Sequence, residues 1–218
     1  MLALALAPLF ELLPRATLAA IVIVAVAGLL EPRALLRVWR YDRADGACAL
    51  ATFVAVLGVG LQAGILGGVV LSLVLHVWRS TRPHIAIVGR VGDSEHFRNV
   101  RRHVVRTCPH VLAIRIDESL YFANTRPLEE LLLTEVADRP ALKHVVLVAS
   151  AVNAIDASAL ETLENVIERL REAGITFHLS EVKGPVMDRL ARSDFLERLR
   201  PGQVFLSTHE AMRALDCS

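Results

Sequence analysis

The stretch "HVVLVASAVNAIDASALETLENVIERLREAG", residues 144–174, sets three different patterns side by side. "HVVLVAS" (144–150) is a continuous apolar run, the signature of a strand buried on both faces. "SALETLENVIERLREAG" (158–174) repeats Leu160, Leu163, Val166, Ile167 and Leu170 on one helical face, with Gly174 as its stop. Between them stand Asp156, Ala157 and Ser158. Asp and Ser are both good helix starters, because a side-chain oxygen can accept a bond from the free N–H groups of the first turn. One of the two caps the helix, and Ser158 with Glu161 matches the S-x-x-E capping box. A buried strand feeding directly into a helix calls for a layered α/β fold.

The flanking sequence extends that alternation. "HIAIVGRV" (84–91), "VLAIRID" (111–117), "SLYFANT" (119–125), "ITFHLSEV" (175–182) and "VFLS" (204–207) read as strands. "RPLEELLLTEVAD" (126–138), "GPVMDRLARSDFLERL" (184–199) and "THEAMRAL" (208–215) read as helices, the second opened by Pro185. Asp117 and Glu118 beside Tyr121 and Phe122 read as a strand bend carrying core aromatics. The α/β domain therefore occupies residues 83–218.

Upstream of it the polymer changes character. The chain has 218 residues and a mean hydropathy of +0.46. Residues 1–83 hold seven Arg, no Lys and four acids, a net +3; residues 84–218 hold 17 basic and 19 acidic residues, a net −2. This is the composition of a membrane region, residues 1–82, followed by a water-soluble domain. No basic n-region precedes the first apolar run, so it is not a signal peptide. Pro8, Glu11, Pro14 and Arg15 interrupt that run, and Ala16 to Leu30 is uncharged but short for a full crossing. "EPRALLRVWRYDRADG" places Arg33, Arg37, Arg40 and Arg43 beside Trp39 and Tyr41, as in a loop on the cytoplasmic side or a solvated amphipathic helix.

Gly46 to Leu75 then runs uncharged through Gly58, Gly60, Gly64, Gly67 and Gly68 to a second basic flank, "HVWRSTRP". Two basic flanks require an even number of crossings. A hairpin of two short helices, roughly 45–60 and 63–79, fits length, glycines and charge together, with a single span as the alternative. No charged residue or His lies inside an apolar run, so these segments are scaffold rather than an ion pocket.

Several function classes are excluded or weakened. Basic residues interleave with acids and form no nucleic-acid stripe. Cys48, Cys108 and Cys217 are far apart, so neither a disulfide framework nor a zinc site is expected, and a reducing compartment is. His96, His103 and His110 recur every seven residues, but Pro109 ends any helix there, so surface histidines are expected rather than a metal face. No P-loop, GxGxxG or GxSxG occurs, so no nucleotide site, cofactor or enzymatic constellation is expected.

"RIDESLYFANT", the helix after it, and "HVVLVASAVNAIDASALETLENVIERLREAGITFHLSEVKGPVMDRLARSDFLERL" resemble the STAS domain that closes SulP-type inorganic anion transporters. "PLFELLPRATLAAIVIVAVAGLL", "WRYDRADGA" and "GLQAGILGGVVLSLVLHVWRSTRP" resemble the last membrane segments of the same family, in the same order. The resemblance implies a truncated gate-side membrane region and a cytoplasmic STAS domain, integral to the inner or plasma membrane, with the anion site in core segments upstream. It implies as partners the rest of the transporter membrane domain, the lipid bilayer, an inorganic anion such as sulfate or bicarbonate for the whole transporter, and a homodimer. The chain alone is not expected to transport. In the related anti-sigma-factor antagonists the same junction reads Asp-Ser-Ser-Gly and its first Ser accepts phosphate. Aligned on Asp156, that position is Ala157, Ser158 takes the second Ser, and Ala159 replaces the Gly, so no phosphoswitch is expected. Asp156 and Ser158 remain as a loop for regulation or partner contact. The alternative is a membrane-tethered STAS interaction module of the antagonist type.

Overall fold

The computed structural model describes residues 15–29 and 31–217, so the expectation of a broken run at Pro8, Glu11 and Pro14 lies outside the described residues. The chain divides into two compact units, Met1–His76 and Val77–Ser218.

In the first unit, α1 (Arg15–Leu29) carries exposed Ile21, Val22, Ile23 and Val24, and α2 (Pro32–Tyr41) follows. The Arg-rich segment is thus an amphipathic helix and not a loop. Arg33, Arg37 and Arg40 share one side, and Leu35, Val38 and Trp39 the other, which suits a helix lying at an interface. Asp42 ends α2 and caps α3 (Arg43–Val59), its Oδ1 accepting from the N–H groups of Ala44 at 2.8 Å and Asp45 at 3.2 Å.

The expected hairpin is present. Gly60, at φ 118°, turns the chain from α3 into α4 (Leu61–Ser80) in a conformation that disfavours other residues. The pair then closes on its glycines: a Cβ at Gly64 would stand 2.5 Å from the Val56 backbone, and one at Gly68 would stand 2.5 Å from the Thr52 side chain. In an apolar medium no hydrophobic force joins helices, so such close approach supplies the attraction. By length and composition α4 can cross a membrane.

The second unit is a six-stranded mixed sheet in the order β2-β1-β3-β4-β5-β6. It comprises β1 (Ile85–Arg90), β2 (Phe97–Asn99), β3 (Val111–Ile116), β4 (His144–Val148), β5 (Thr176–Ser180) and β6 (Val204–Phe205). β1 is antiparallel to both neighbours, while β3 to β6 run parallel. Helices α5 (Thr125–Asp138) and α6 (Ala157–Glu172) cover one face over Leu112, Ile114, Ile116, Val145, Leu147 and Phe177. On the other face α9 (Thr208–Ala214) sets Ala211 and Met212 against Val111, Ala113, Val146 and Val148. β4 is buried on both sides because its alternate residues serve both clusters.

Four expectations are corrected. Residues 119–125 form no strand. Leu120 makes a single bridge to Ile155, and buried Asn124 holds a turn by accepting from the Tyr121 N–H at 2.9 Å and donating to the Ser119 carbonyl at 2.7 Å. Phe122 is accordingly exposed, not a core aromatic. The helix expected over 184–199 is two, α7 (Gly184–Leu190) and α8 (Phe195–Leu199), because Ser193 closes a turn onto the Leu190 carbonyl. Cys108 and Cys217 form a disulfide with Cα atoms 6.0 Å apart, because the segment before β3 and the residue after α9 meet on one sheet face.

His178 on β5 is buried, and its Nδ1 accepts the Gln203 N–H at 3.2 Å, leaving Nε2–H to donate to Nδ1 of His144 at 3.2 Å. Burial, and then the neighbouring His144, push its pKa down to about 4. The unfolded chain binds that proton near pH 6.5 and the folded one does not. Stability of this unit is therefore full above about pH 6.5 and falls as pH drops towards 4, by about 1.4 kcal/mol per pH unit from this group. Thermal unfolding across that window should show the slope, and His178→Leu should remove this part of it. In the first unit, Gly64→Leu should lower the thermal midpoint of helix loss in detergent, because overpacking costs about 1–3 kcal/mol; an unchanged midpoint would contradict the close approach.

Candidate functional site

The junction between β4 and α6 is where sequence placed its candidate residues. Ala149 donates its N–H to the Ser180 carbonyl, which finishes the β4–β5 ladder, and the chain leaves the sheet through Val152 and Asn153. Leu120 then clamps the returning strand, donating to the Ala154 carbonyl at 2.9 Å and accepting from the Asp156 N–H at 3.1 Å. The junction is thus fixed at its backbone before any side chain acts.

Asp156 is the helix cap. Its Oδ1 accepts from the Ala159 N–H at 2.7 Å, and its Oδ2 accepts from the Phe122 N–H at 3.0 Å. One carboxylate therefore satisfies the first turn of α6 and the turn that leads into α5. The negative charge also suits the positive end of the α6 dipole. Ser158 is not the cap. It is the second residue of α6 and exposed, so the capping-box reading with Glu161 fails by two positions. Ala157 is also exposed, and its methyl group offers no hydroxyl oxygen. Ala159 is fully buried against the core, where a larger side chain would collide.

The surrounding loops belong to the same end of the sheet. Lys183 donates to Asn153 Oδ1 at 2.6 Å, and Asn153 N–H meets the Ser119 hydroxyl at 3.3 Å. Tyr121 bonds through its hydroxyl to Ser80, in the last turn of α4. Asp117 bonds Arg115 Nε at 2.6 Å and His84 Nδ1 at 2.8 Å. Its partial burial pushes its pKa up, but the bonds from Arg115 and His84 outweigh that and hold it below the usual carboxylate range. Apart from the Arg115–Asp117 pair, these tethers were not visible in sequence, because they join residues about 30 to 40 positions apart.

The arrangement orders the turns and loops at this end of the sheet. Among the described residues no three His, Cys, Asp or Glu stand together as a metal would require. His96 and His103 are exposed, while His110 lies 3.2 Å from the Leu215 carbonyl. Asp156→Ala should loosen both tethered segments, costing about 1–2 kcal/mol. Hydrogen exchange should rise together at Phe122 and Ala159, whereas Ser158→Ala should leave both unchanged.

Comparison with known proteins follows this division of the chain. The STAS domain family matches residues 102–211, and the sulfate permease family matches residues 1–52. Sulfate transporter 1.1 of Arabidopsis thaliana is 29% identical over 215 residues, which cover 94% of this chain and 33% of that protein. Probable sulfate transporter 4.2 of the same plant is 33% identical over 219 residues, covering 95% and 32%. The murine Slc26a9 anion transporter, in its inward-facing state, superposes with a TM-score of 0.79 over 94% of this chain and 34% of its own, at 19% identity, a likeness of fold. The chain spans about a third of the length of the curated relatives it matches.

Proposed function

The chain belongs to the STAS-domain family and corresponds to the C-terminal part of sulfate permease proteins; on that premise we propose that it supplies the closing gate-side helices and the regulatory STAS module of a secondary-active inorganic anion transporter. The observation that carries this reading is colinearity. Membrane-like helices and STAS domain match the same relatives, in the same order, over nearly the whole chain. We take residues 1–82 as the membrane part and residues 83–218 as the STAS part. Basic flanks on α2 and after α4 support reading the STAS part as cytoplasmic, at an inner or plasma membrane.

The substrate reading is an inorganic anion of the sulfate or bicarbonate type, moved by the whole transporter. Within this chain α3 and α4 have no charged residue between Asp45 and Arg79. An anion pocket needs facing helix N-termini or fixed cations, and these helices bring neither to the bilayer centre. We therefore take the binding site to lie outside α3 and α4, which shape and regulate it. We assign this chain no catalytic step. The Asp156 loop is the regulatory or partner-contact surface, and Ala157 removes the phosphorylation route that a tethered antagonist would use. A homodimer through the STAS part fits the same role.

Radiolabelled sulfate uptake tests the division of labour. Liposomes holding the purified chain alone should take up no more than empty ones. Co-expression with the preceding membrane segments of a sulfate permease relative should restore uptake in cells that lack their own. Uptake by the chain alone would overturn the proposal.

A further inference from the structure

The turn after β2 carries a cluster of cations that the function above does not use. Asn99 opens the turn. Its Oδ1 accepts from the Arg101 N–H at 2.8 Å, and its carbonyl accepts from the N–H groups of Arg102 at 3.0 Å and His103 at 3.1 Å. Arg101, Arg102, His103 and Val104 are all exposed there, Val104 at 97%, and Arg98 on β2 is exposed beside them. Two of the nearby acids are already engaged, while Glu95 is exposed three residues before Arg98. Asp117 is held by Arg115 and His84, and Asp93 pairs with Arg106 at 3.2 Å. Among the described residues, no carboxylate forms an ion pair with Arg98, Arg101 or Arg102.

Strand register fixes where this tip lies. Val88 pairs with Asn99, and the Val100 N–H donates to the Ile87 carbonyl, so β2 runs back towards the start of β1. That start lies five residues after Ser80, a reach of at most about 18 Å. Arg98, Arg102 and His103 line an open cavity of about 530 Å³ together with His84 and Asp117. At this same end Tyr121 bonds Ser80, and the Arg82 guanidinium sits 4.5 Å from the ring centre of Trp78. An aromatic and a cation at the close of an apolar helix mark the depth of lipid headgroups. The cationic tip thus lies at the same end of its domain as Ser80, with Val104 almost fully exposed.

We propose that the 98–104 tip docks onto anionic lipid headgroups beside α4, Arg98, Arg101 and Arg102 meeting phosphates and Val104 entering the interface. This rests on the reading that α4 crosses the bilayer. Charge complementarity selects the occupant: three unpaired guanidiniums match phosphates well, and a bilayer surface is already attached to this end of the domain by the chain itself.

The full chain in lipid nanodiscs tests this by hydrogen exchange of the 98–105 amides, in phosphatidylcholine alone and in a mixture with phosphatidylglycerol. The anionic discs should slow exchange roughly tenfold, and raised salt should reverse the effect. R98Q/R101Q/R102Q should exchange at the faster rate in both discs. Equal exchange of the native chain in the two discs, or slowing that survives the triple substitution, overturns the headgroup contact alone. Equal slowing by inorganic phosphate in phosphatidylcholine discs also overturns it, in favour of a soluble-anion site. Failure of the chain to co-elute with discs of either kind overturns the membrane reading and the contact together.

Discussion

Two lone pairs on one carboxylate hold one end of the STAS unit together. Asp156 offers one oxygen to the first turn of α6 and the other to the turn before α5. These turns follow different strands, β4 and β3, which lie side by side in the parallel part of the sheet. Parallel strands deliver all their outgoing loops to one end, where nothing in the ladder fixes the loops to each other. A short acid at the helix cap does that work here. The clamp of Leu120 on Ala154 and Asp156 then makes the junction a short continuation of the sheet.

The first unit solves a different problem. Its helices expose aliphatic side chains over most of their length, as a lipid or helical environment requires. Cohesion between α3 and α4 comes instead from missing side chains. Gly60 permits the reversal, and Gly64 and Gly68 let backbone approach backbone and hydroxyl. Asp42 in the first unit and Asn99 in the second play parallel parts, each ordering a turn through one side-chain oxygen.

Much of this was legible in sequence wherever a repeating pattern reports a local preference. The stripe of Leu163, Val166, Ile167 and Leu170 gave α6, and the apolar run of Val145 to Val148 gave a strand buried on both faces. Glycines between two basic flanks gave the hairpin. What stayed hidden depended on partners far along the chain. Asp156 and Ser158 are equally good caps by type, and the Phe122 N–H, 34 positions away, goes with Asp156. β2 has three residues and no period to read. Residues 119–125 carry strand-like side chains, but Asn124 turns them by filling its own bonding capacity inside the core. The sulfhydryls of Cys108 and Cys217 meet only because α9 folds back beneath β3.

That last pairing changes how the unit bears load. With Cys108 joined to Cys217, everything from β3 to α9 is one closed covalent ring of chain. A pull arriving from α4 passes through β1 and β2 and reaches the ring at a single point. There it divides at once between the first parallel strand and the last helix, on opposite ends of the sequence. In its oxidised form the STAS unit is therefore a mechanically closed hoop, and α9 cannot peel away before the sheet itself gives. Reduction would open the ring and release α9 from that constraint.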